Sequence, residues 1–335
     1  MKKSMKHVGI FLIAMLVFAM AGCSNDTSNG TEKKAAGKKS DYPTKPITLI
    51  APSSAGGGTD ATARALTADI EKYLGQSVGV VNKPGGSGSV GMTEGANAKP
   101  DGYTVTMVFV ELTMYKHLGL SPLGHDQFKP IGLINLDPAA LTVPKDAPYD
   151  TLEEFIAYAK EHPGKVKVGN SGTGSIWHIA AESISKKADV KFNHVPFEGA
   201  AQAVTALVGG HVDAVTVSPA EVKAQLDAGK VKTLAVMSDS RSDIIPDVPT
   251  FKEAGLDVDP VGTWRGLTVP KDTPDDIVAK LEDAFMKAAK DEKFTKFMAS
   301  SGLGIELKDS KEFKKFMDDN YKQFGEILSD IGLSK

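Results

Sequence analysis

The stretch Ile47–Ile70, ITLIAPSSAGGGTDATARALTADI, decides the fold class. An apolar run, Ile47 to Ala51, reads as a buried strand. Three glycines follow, Gly56 to Gly58, and then a helical pattern with Leu66, Ile70 and Leu74 on one face from Asp60 to Leu74. Strand, glycine loop and helix are the parts of an anion cradle. Glycines let backbone N–H groups come close to a ligand, and the first helical turn leaves its N–H groups without internal partners. The helix dipole adds partial positive charge there. The nucleotide motifs are absent. A P-loop would place Lys after the last glycine, where Thr59 and Asp60 stand, and a dinucleotide turn would carry a third glycine in GGGTDA and an acid at the end of the next strand.

The same rhythm continues outward. VGVVN is a strand, GSVGMTEGANA opens a helix, YTVTMVFV is a strand and IGLINLDPAALTVP holds two extended runs. Alternation of this kind predicts an α/β sheet covered by helices on both faces. A second unit begins near Val143. Its helix starts are well signed: Thr151 with Glu154, Ser218 with Pro219 and Glu221, and Thr250 with Glu253 each fit a capping pattern. VKVGNS, FNHVPF, VDAVTVS and VKTLAVM read as its strands, and SIWHIAAESISKK and EGAAQAVTALVGG as helices. After TWRGLTVP the chain is helical, with Thr273 and Pro274 opening the first segment. The natural partner for those apolar faces is the first sheet, which makes the first lobe discontinuous: 42–142 and 266–335, with 143–265 inserted as the second lobe.

The N-terminus reads as an address. MKKSMKH is basic, and Val8 to Ala21 is an apolar run of 14 residues, short of the about 20 a spanning helix needs. It ends in AMAGC at Cys23, the only cysteine of 335 residues. This resembles the lipobox of bacterial lipoproteins, with Met20 where Leu is usual. The resemblance implies a signal peptide over 1–22, lipidation of Cys23 and a polar tether over 23–41. Removal of Lys2, Lys3 and Lys6 takes the formal net charge of −3 down by three units. A lone cysteine excludes an intrachain disulfide. The expected location is outside the cytoplasmic membrane, anchored to its surface, which disfavours intracellular nucleotide chemistry. No long basic run points to nucleic acid.

Glycine- and serine-rich junctions recur at NKPGGSGSVG (Asn82–Gly91), GNSGTGSIWH (Gly169–His178) and VTVSPAE (Val215–Glu221). Open α/β sheets bind ligands at the carboxyl ends of their strands, so two lobes pointing such junctions at one cleft would grip an anion from both sides.

YPTKPITLIAPSSAGGGTDATAR, GQSVGVVNKPGGSGSVG, KPDGYT, VGNSGTGSIWHIAAE, HVPFEGAAQAVTALVGGHVDA, DVPTFKEAGL and TWRGLTVPKDTP, in that order from Tyr42 onward, resemble the Bug-type solute receptors of tripartite tricarboxylate transporters. The resemblance implies two α/β lobes around a cleft, in the type II periplasmic-binding-protein arrangement. It also implies a small carboxylate ligand, best a tricarboxylate such as citrate, and delivery to a permease of one large and one small membrane subunit. A sensory receptor feeding a two-component system is the alternative, as is a dicarboxylate, amino acid or aromatic acid ligand. The protein is expected to be a monomer that needs no cofactor or metal.

On this reading the ligand contacts are Ser53, Ser54, Gly57, Gly58, Thr59 and Asp60 from the first lobe, with Asp60 favoured as a structural cap. Ser87 follows, with Ser89 behind it. The second lobe offers Ser171, Thr173, Gly174 and Ser175. His178, one turn into its helix, either faces a carboxylate or packs. Asp213 more readily orders a strand start, and Ser218 caps its own helix. Arg265 stands after Trp264 where many relatives carry an aromatic. Facing the cleft, it would grip a second or third carboxylate bidentately; facing away, it is a surface or interlobe ion pair worth at most about 1 kcal/mol. An enzyme is not expected. HExxH is absent, no cysteine is free for nucleophilic work, and the seven histidines show no metal spacing.

Overall fold

The computed structural model describes residues 41–335; the expected signal peptide, Cys23 and all of the expected tether but Asp41 lie outside the described residues. Ten strands form two five-stranded sheets. The first contains β1 (Ile47–Ala51), β2 (Val78–Asn82), β3 (Thr104–Phe109), β4 (Phe128–Pro138) and β10 (Gly262–Pro270) in the order β2-β1-β3-β10-β4. β1 runs parallel to β2 and β3, whereas β10 is antiparallel to β3 and β4. The second contains β5 (Ala140–Pro144), β6 (Lys167–Asn170), β7 (Asn193–Pro196), β8 (Ala214–Val215) and β9 (Val231–Val236) in the order β7-β6-β8-β5-β9.

The chain passes between sheets at Ala139. Its N–H donates to the Val261 carbonyl and its carbonyl accepts from Met237 N–H, so the outgoing and returning strands are stitched at one point. The lobe limits read from sequence, 142/143 and 265/266, fall inside β5 and β10. LINLDPAALTVP is apolar on both sides of Pro138, so composition alone does not mark the crossing.

Helices α1 (Gly58–Thr67), α2 (Glu71–Leu74), α3 (Ser89–Ala96) and α4 (Tyr115–Leu118) belong to the first lobe. α5 (Leu152–Glu161), α6 (Ile176–Ala188), α7 (Ala200–Val208) and α8 (Pro219–Asp227) belong to the second. α9 (Asp275–Ala289), α10 (Glu292–Ser301) and α11 (Ser310–Asp330) return to the first sheet, where Val278, Leu281 and Phe285 bury against Ile131, Ile134 and Leu267. Glycine at 266 is required there, because a Cβ would stand 2.2 Å from the Phe313 ring.

Local signals place the helix starts. Thr151 Oγ1 accepts from Glu154 N–H while Glu154 accepts from Thr151 N–H, and Ser218 N–H donates to Glu221. Three readings shift. The single helix expected over 60–74 stops at Thr67 and restarts at Glu71. VDAVTVS contributes only Ala214 and Val215 to the ladder. Thr250 and Glu253 form their reciprocal bonds, yet Gly255 at φ 87° ends the segment before a helix develops.

Candidate functional site

The glycine junctions follow the carboxyl ends of β1, β2 and β6, and the second and third approach each other at Ser87 and Gly172. The first junction is held from beneath. Asp60, 5% exposed, accepts from Gly56 N–H and from Asn82 Nδ2, both at 2.9 Å, and pairs with Arg64 Nε at 2.9 Å. Burial alone would raise its pKa, but the bonds from Arg64, Gly56 and Asn82 hold it below the usual carboxylate range. Asn82 Nδ2 also donates to the Ser53 carbonyl. Asp60 therefore fixes the shape of the 53–58 loop. Ser54 and Gly56 are exposed, Gly57 and Gly58 half-buried, and Gly57 caps α1 with extended backbone and no side-chain bond. Ser53 Oγ is buried and finds no hydrogen-bond partner among the described residues.

Arg265 lies under the start of α1. Its Nε donates to Thr59 Oγ1 at 3.0 Å, and its Nη1 donates to Asn135 Oδ1 and to Asp137 Oδ2, the latter at 2.7 Å. The Arg265 and Asp137 side chains are 4% and 2% exposed. Asp137 Oδ1 also accepts from Gly304 N–H at 2.7 Å. The pair lies within the first sheet and is buried, so it is neither the surface nor the interlobe pair expected from sequence, and the charge of Arg265 is already met. Period-2 alternation puts Asn135 and Asp137 on one face of β4. Two polar residues so spaced inside the apolar run IGLINLDP were a signal that sequence reasoning passed over.

The second junction turns through three glycines at positive φ, Gly85, Gly86 and Gly88, with Ser87 also at φ 50°. Gly88 admits no side chain, since a Cβ would stand 2.2 Å from the Phe109 ring. Tyr115 Oη donates to the Ser87 carbonyl at 2.6 Å. Ser89 begins α3.

The third junction is in the second lobe. Gly172 and Gly174 take positive φ, 116° and 77°. Asn170 Oδ1 accepts from Gly172 N–H at 3.1 Å, and Ser175 Oγ accepts from His178 N–H at 3.3 Å to cap α6. Thr173 is exposed, Ser171 half-buried, Ser175 buried. Asn170 is fully buried and its Nδ2 has no partner among the described residues. His178 turns back on its own loop, its Nδ1 accepting from Gly174 N–H at 3.2 Å. Asp213 accepts from Lys167 N–H and orders the start of β6.

The lobes meet along these loops. Glu111, after β3, reaches across so that its Oε1 accepts from Ile176 N–H at 3.1 Å, the first N–H of α6. A Cβ on Gly174 would come within 2.9 Å of a Leu120 methyl, and one on Gly172 within 3.9 Å of Ser87 Oγ. Burial pushes Glu111 up to about 7, with the Ile176 N–H and Arg265 pulling back; burial likewise pushes Glu221 up to about 7, with Arg265 opposing. Glu111 was overlooked in the sequence, although it is a lone acid in the apolar run TVTMVFVELTM.

One side-chain cluster suits a metal in composition. His178, Glu182 and His194 bring one ligand atom each within 4.8 Å of one another. Spacing along the sequence does not reveal it, because His194 arrives on β7. Among the described residues no helix is long and apolar enough to cross a membrane.

Two lobes of α/β structure are joined by paired crossing strands. Residues 62–333 match the family described as the tripartite tricarboxylate transporter family receptor. The chain belongs to that family. The receptor is 34% identical over 297 residues to a protein encoded in the gbd 5′ region of Cupriavidus necator, covering 88% of this chain and 90% of that one. Among solved structures, a TctC solute-binding protein from Polaromonas is 44% identical with a TM-score of 0.70, covering 86% of the receptor and 99% of that chain. MatC from Rhodopseudomonas palustris, solved with bound malate, is 29% identical with a TM-score of 0.79, covering 86% of the receptor and 100% of that chain. The two-lobe periplasmic-binding fold expected from sequence is thus the fold of the receptor, and its family is one of solute receptors, not enzymes.

Proposed function

We propose that this receptor is an extracytoplasmic lipoprotein, anchored through Cys23, that captures a small carboxylate between its lobes as a monomer. It then hands that ligand to a permease of one large and one small membrane subunit. One observation carries the ligand class. Ser53 Oγ and Asn170 Nδ2, one from each lobe, are buried groups without partners, and both can donate. A buried donor left unmade costs about 1–3 kcal/mol, so a pair of them at the predicted ligand loops calls for an acceptor such as a carboxylate. Gly57, Gly58 and Thr59 supply further N–H groups at the start of α1, as do Ser171, Thr173, Gly174 and Ser175 beside α6.

The case for a third carboxylate rested on Arg265 having charge to spare. Its guanidinium already carries Asp137, and Glu111 and Glu221 lie in its field. A dicarboxylate is therefore placed ahead of citrate. The size of ligand bound by the malate-carrying relative agrees with this order.

Thermal melting of the purified protein against malate, succinate, adipate, aspartate, glutamate, citrate and tricarballylate tests the reading. An acid at 100 times its Kd adds about 2.7 kcal/mol to stability. A shift with a dicarboxylate is expected. No shift with any acid, together with no small acid released from the denatured protein, would refute it.

A further inference from the structure

His178, Glu182 and His194 form a closed polar group beside the third junction. Glu182 Oε1 stands 3.5 Å from His178 Nε2 and 3.2 Å from His194 Nε2, and the two rings meet edge to face at 4.9 Å. His178 is buried, and His194 and Glu182 are half-buried.

The protons can be assigned. His178 Nδ1 accepts from Gly174 N–H, so it carries a lone pair, and the proton of the neutral ring sits on Nε2, facing Glu182. His194 faces the same carboxylate through Nε2, and its buried Nδ1 has no partner among the described residues, so the acceptor it meets favours the proton on Nε2. Burial lowers the pKa of His194, and the bond from His178 keeps Glu182 ionised. One carboxylate therefore selects the same tautomer in both rings. A metal would need the Nε2 lone pair of His178. Freeing it puts the ring proton on Nδ1, against Gly174 N–H, so the cluster as folded is not a metal site.

We propose that His178 is a positioning residue for ligand binding: Glu182, steadied by His194, fixes the His178 tautomer so that its Nδ1 holds the Gly174 amide and, with it, the turn from Gly172 to Ser175. Gly172 and Gly174 sit at φ 116° and 77°, conformations that their own flexibility does not hold. The Ser175 hydroxyl is engaged by His178 N–H. The side chain of His178 thus supplies what the loop lacks, an acceptor fixed to a rigid helix. This rests on the reading that the 171–175 loop meets the ligand carboxylate.

Imidazole 15N NMR of the ligand-free protein at neutral pH tests the tautomer independently of any ligand. An Nε2–H signal for His178 is expected, with that form less populated in Glu182→Leu, which removes the acceptor. Binding of malate, or of whichever dicarboxylate gives the largest melting shift, then tests the positioning. His178→Asn keeps an acceptor where Nδ1 stood and is expected to bind like wild type. His178→Gln places its amide where Nε2 stood and is expected to weaken binding about tenfold, the size of one ordinary hydrogen bond. Glu182→Leu is expected to weaken it similarly. An Nδ1–H ring in the wild type, equal losses in His178→Asn and His178→Gln, or one-to-one Zn2+ binding that disappears in His194→Gln would each overturn the proposal. Failure of every acid to bind, with the Nε2–H tautomer in place, would instead count against the carboxylate reading of the site.

Discussion

Replacing Asp137 with alanine puts the buried pair under test. Arg265 would keep its charge while its carboxylate partner, 2.7 Å away, disappears into a site 2–4% exposed. Guanidinium does not give up its proton in proteins, so the charge stays buried with only Asn135 Oδ1 and Thr59 Oγ1 as neutral acceptors. Breaking such a pair by removing one partner costs about 3–5 kcal/mol. Gly304 N–H also loses its acceptor, Asp137 Oδ1. One compensation is built in. Arg265 already pulls the pKa of Glu111 and Glu221 down against burial, so with Asp137 gone either acid can ionise and supply part of the missing charge. The loss is therefore expected near the low end, about 3 kcal/mol. At roughly 2 °C per kcal/mol for a chain of this size, the melting temperature falls by about 6 °C. Urea unfolding followed by circular dichroism gives the free energy directly. The companion variant Asp137→Leu with Arg265→Met removes both charges and is expected to recover more than half of the loss, since a buried pair can be exchanged for apolar groups at small cost. A single-variant loss below about 1 kcal/mol, the range of an exposed pair, would refute the reasoning. So would a double variant as unstable as Asp137→Ala.

Three further outcomes are expected. Gly58→Val is expected to abolish ligand binding and to lower stability by about 1–3 kcal/mol, because a Cβ there stands 2.7 Å from Arg265 Nη2; unchanged affinity in calorimetry would remove this loop from the site. Ser53→Ala deletes a buried hydroxyl that has no partner, so stability is expected to hold or rise while affinity drops about tenfold; a melting temperature that falls while Kd stays constant would reverse the assignment. Glu111 and Glu221 titrate at about 7 in the folded chain against 4.5 when unfolded. The folded state therefore holds protons that the unfolded state releases, and stability falls as pH rises through this range. His194, lowered by burial, acts in the opposite direction only below its unfolded value of 6.5. From pH 6.5 to 7.5 the melting temperature is thus expected to decline, and Glu111→Gln is expected to flatten the decline; a flat wild-type profile would contradict it.

Reading depended on how local each interaction is. Thr151 with Glu154 and Ser218 with Glu221 sit three residues apart, and their helices begin where expected. The strand–glycine–helix units were likewise legible, because hydrophobic period and turn chemistry lie within a few residues of each other. The role of Arg265 was not, since Asp137 is 128 positions away in sequence and Thr59 is 206 away. The same holds for Glu111, whose partner Ile176 is 65 positions distant in the other lobe. Helix α1 stops at Thr67 although the apolar spacing runs on to Leu74, because α2 leans on α9 and burial there overrides the continuous pattern.

The two strands that carry the chain between lobes lie side by side, with Gly262 opposite Pro138 and Ala139 bonded to both Val261 and Met237. A ribbon two strands wide bends readily across its plane and resists shear along its length. Any motion that parts the sheets is therefore steered towards a single swing about that ribbon. Asp137 and Arg265 both sit on the first-sheet side of the pivot and travel together, so this buried pair stays intact through the swing. Glu111 bridges the far side, towards Ile176. Leu118 and Leu120 close against Gly174 on that same side, so the groups that hold the mouth shut are not those that stiffen the axle.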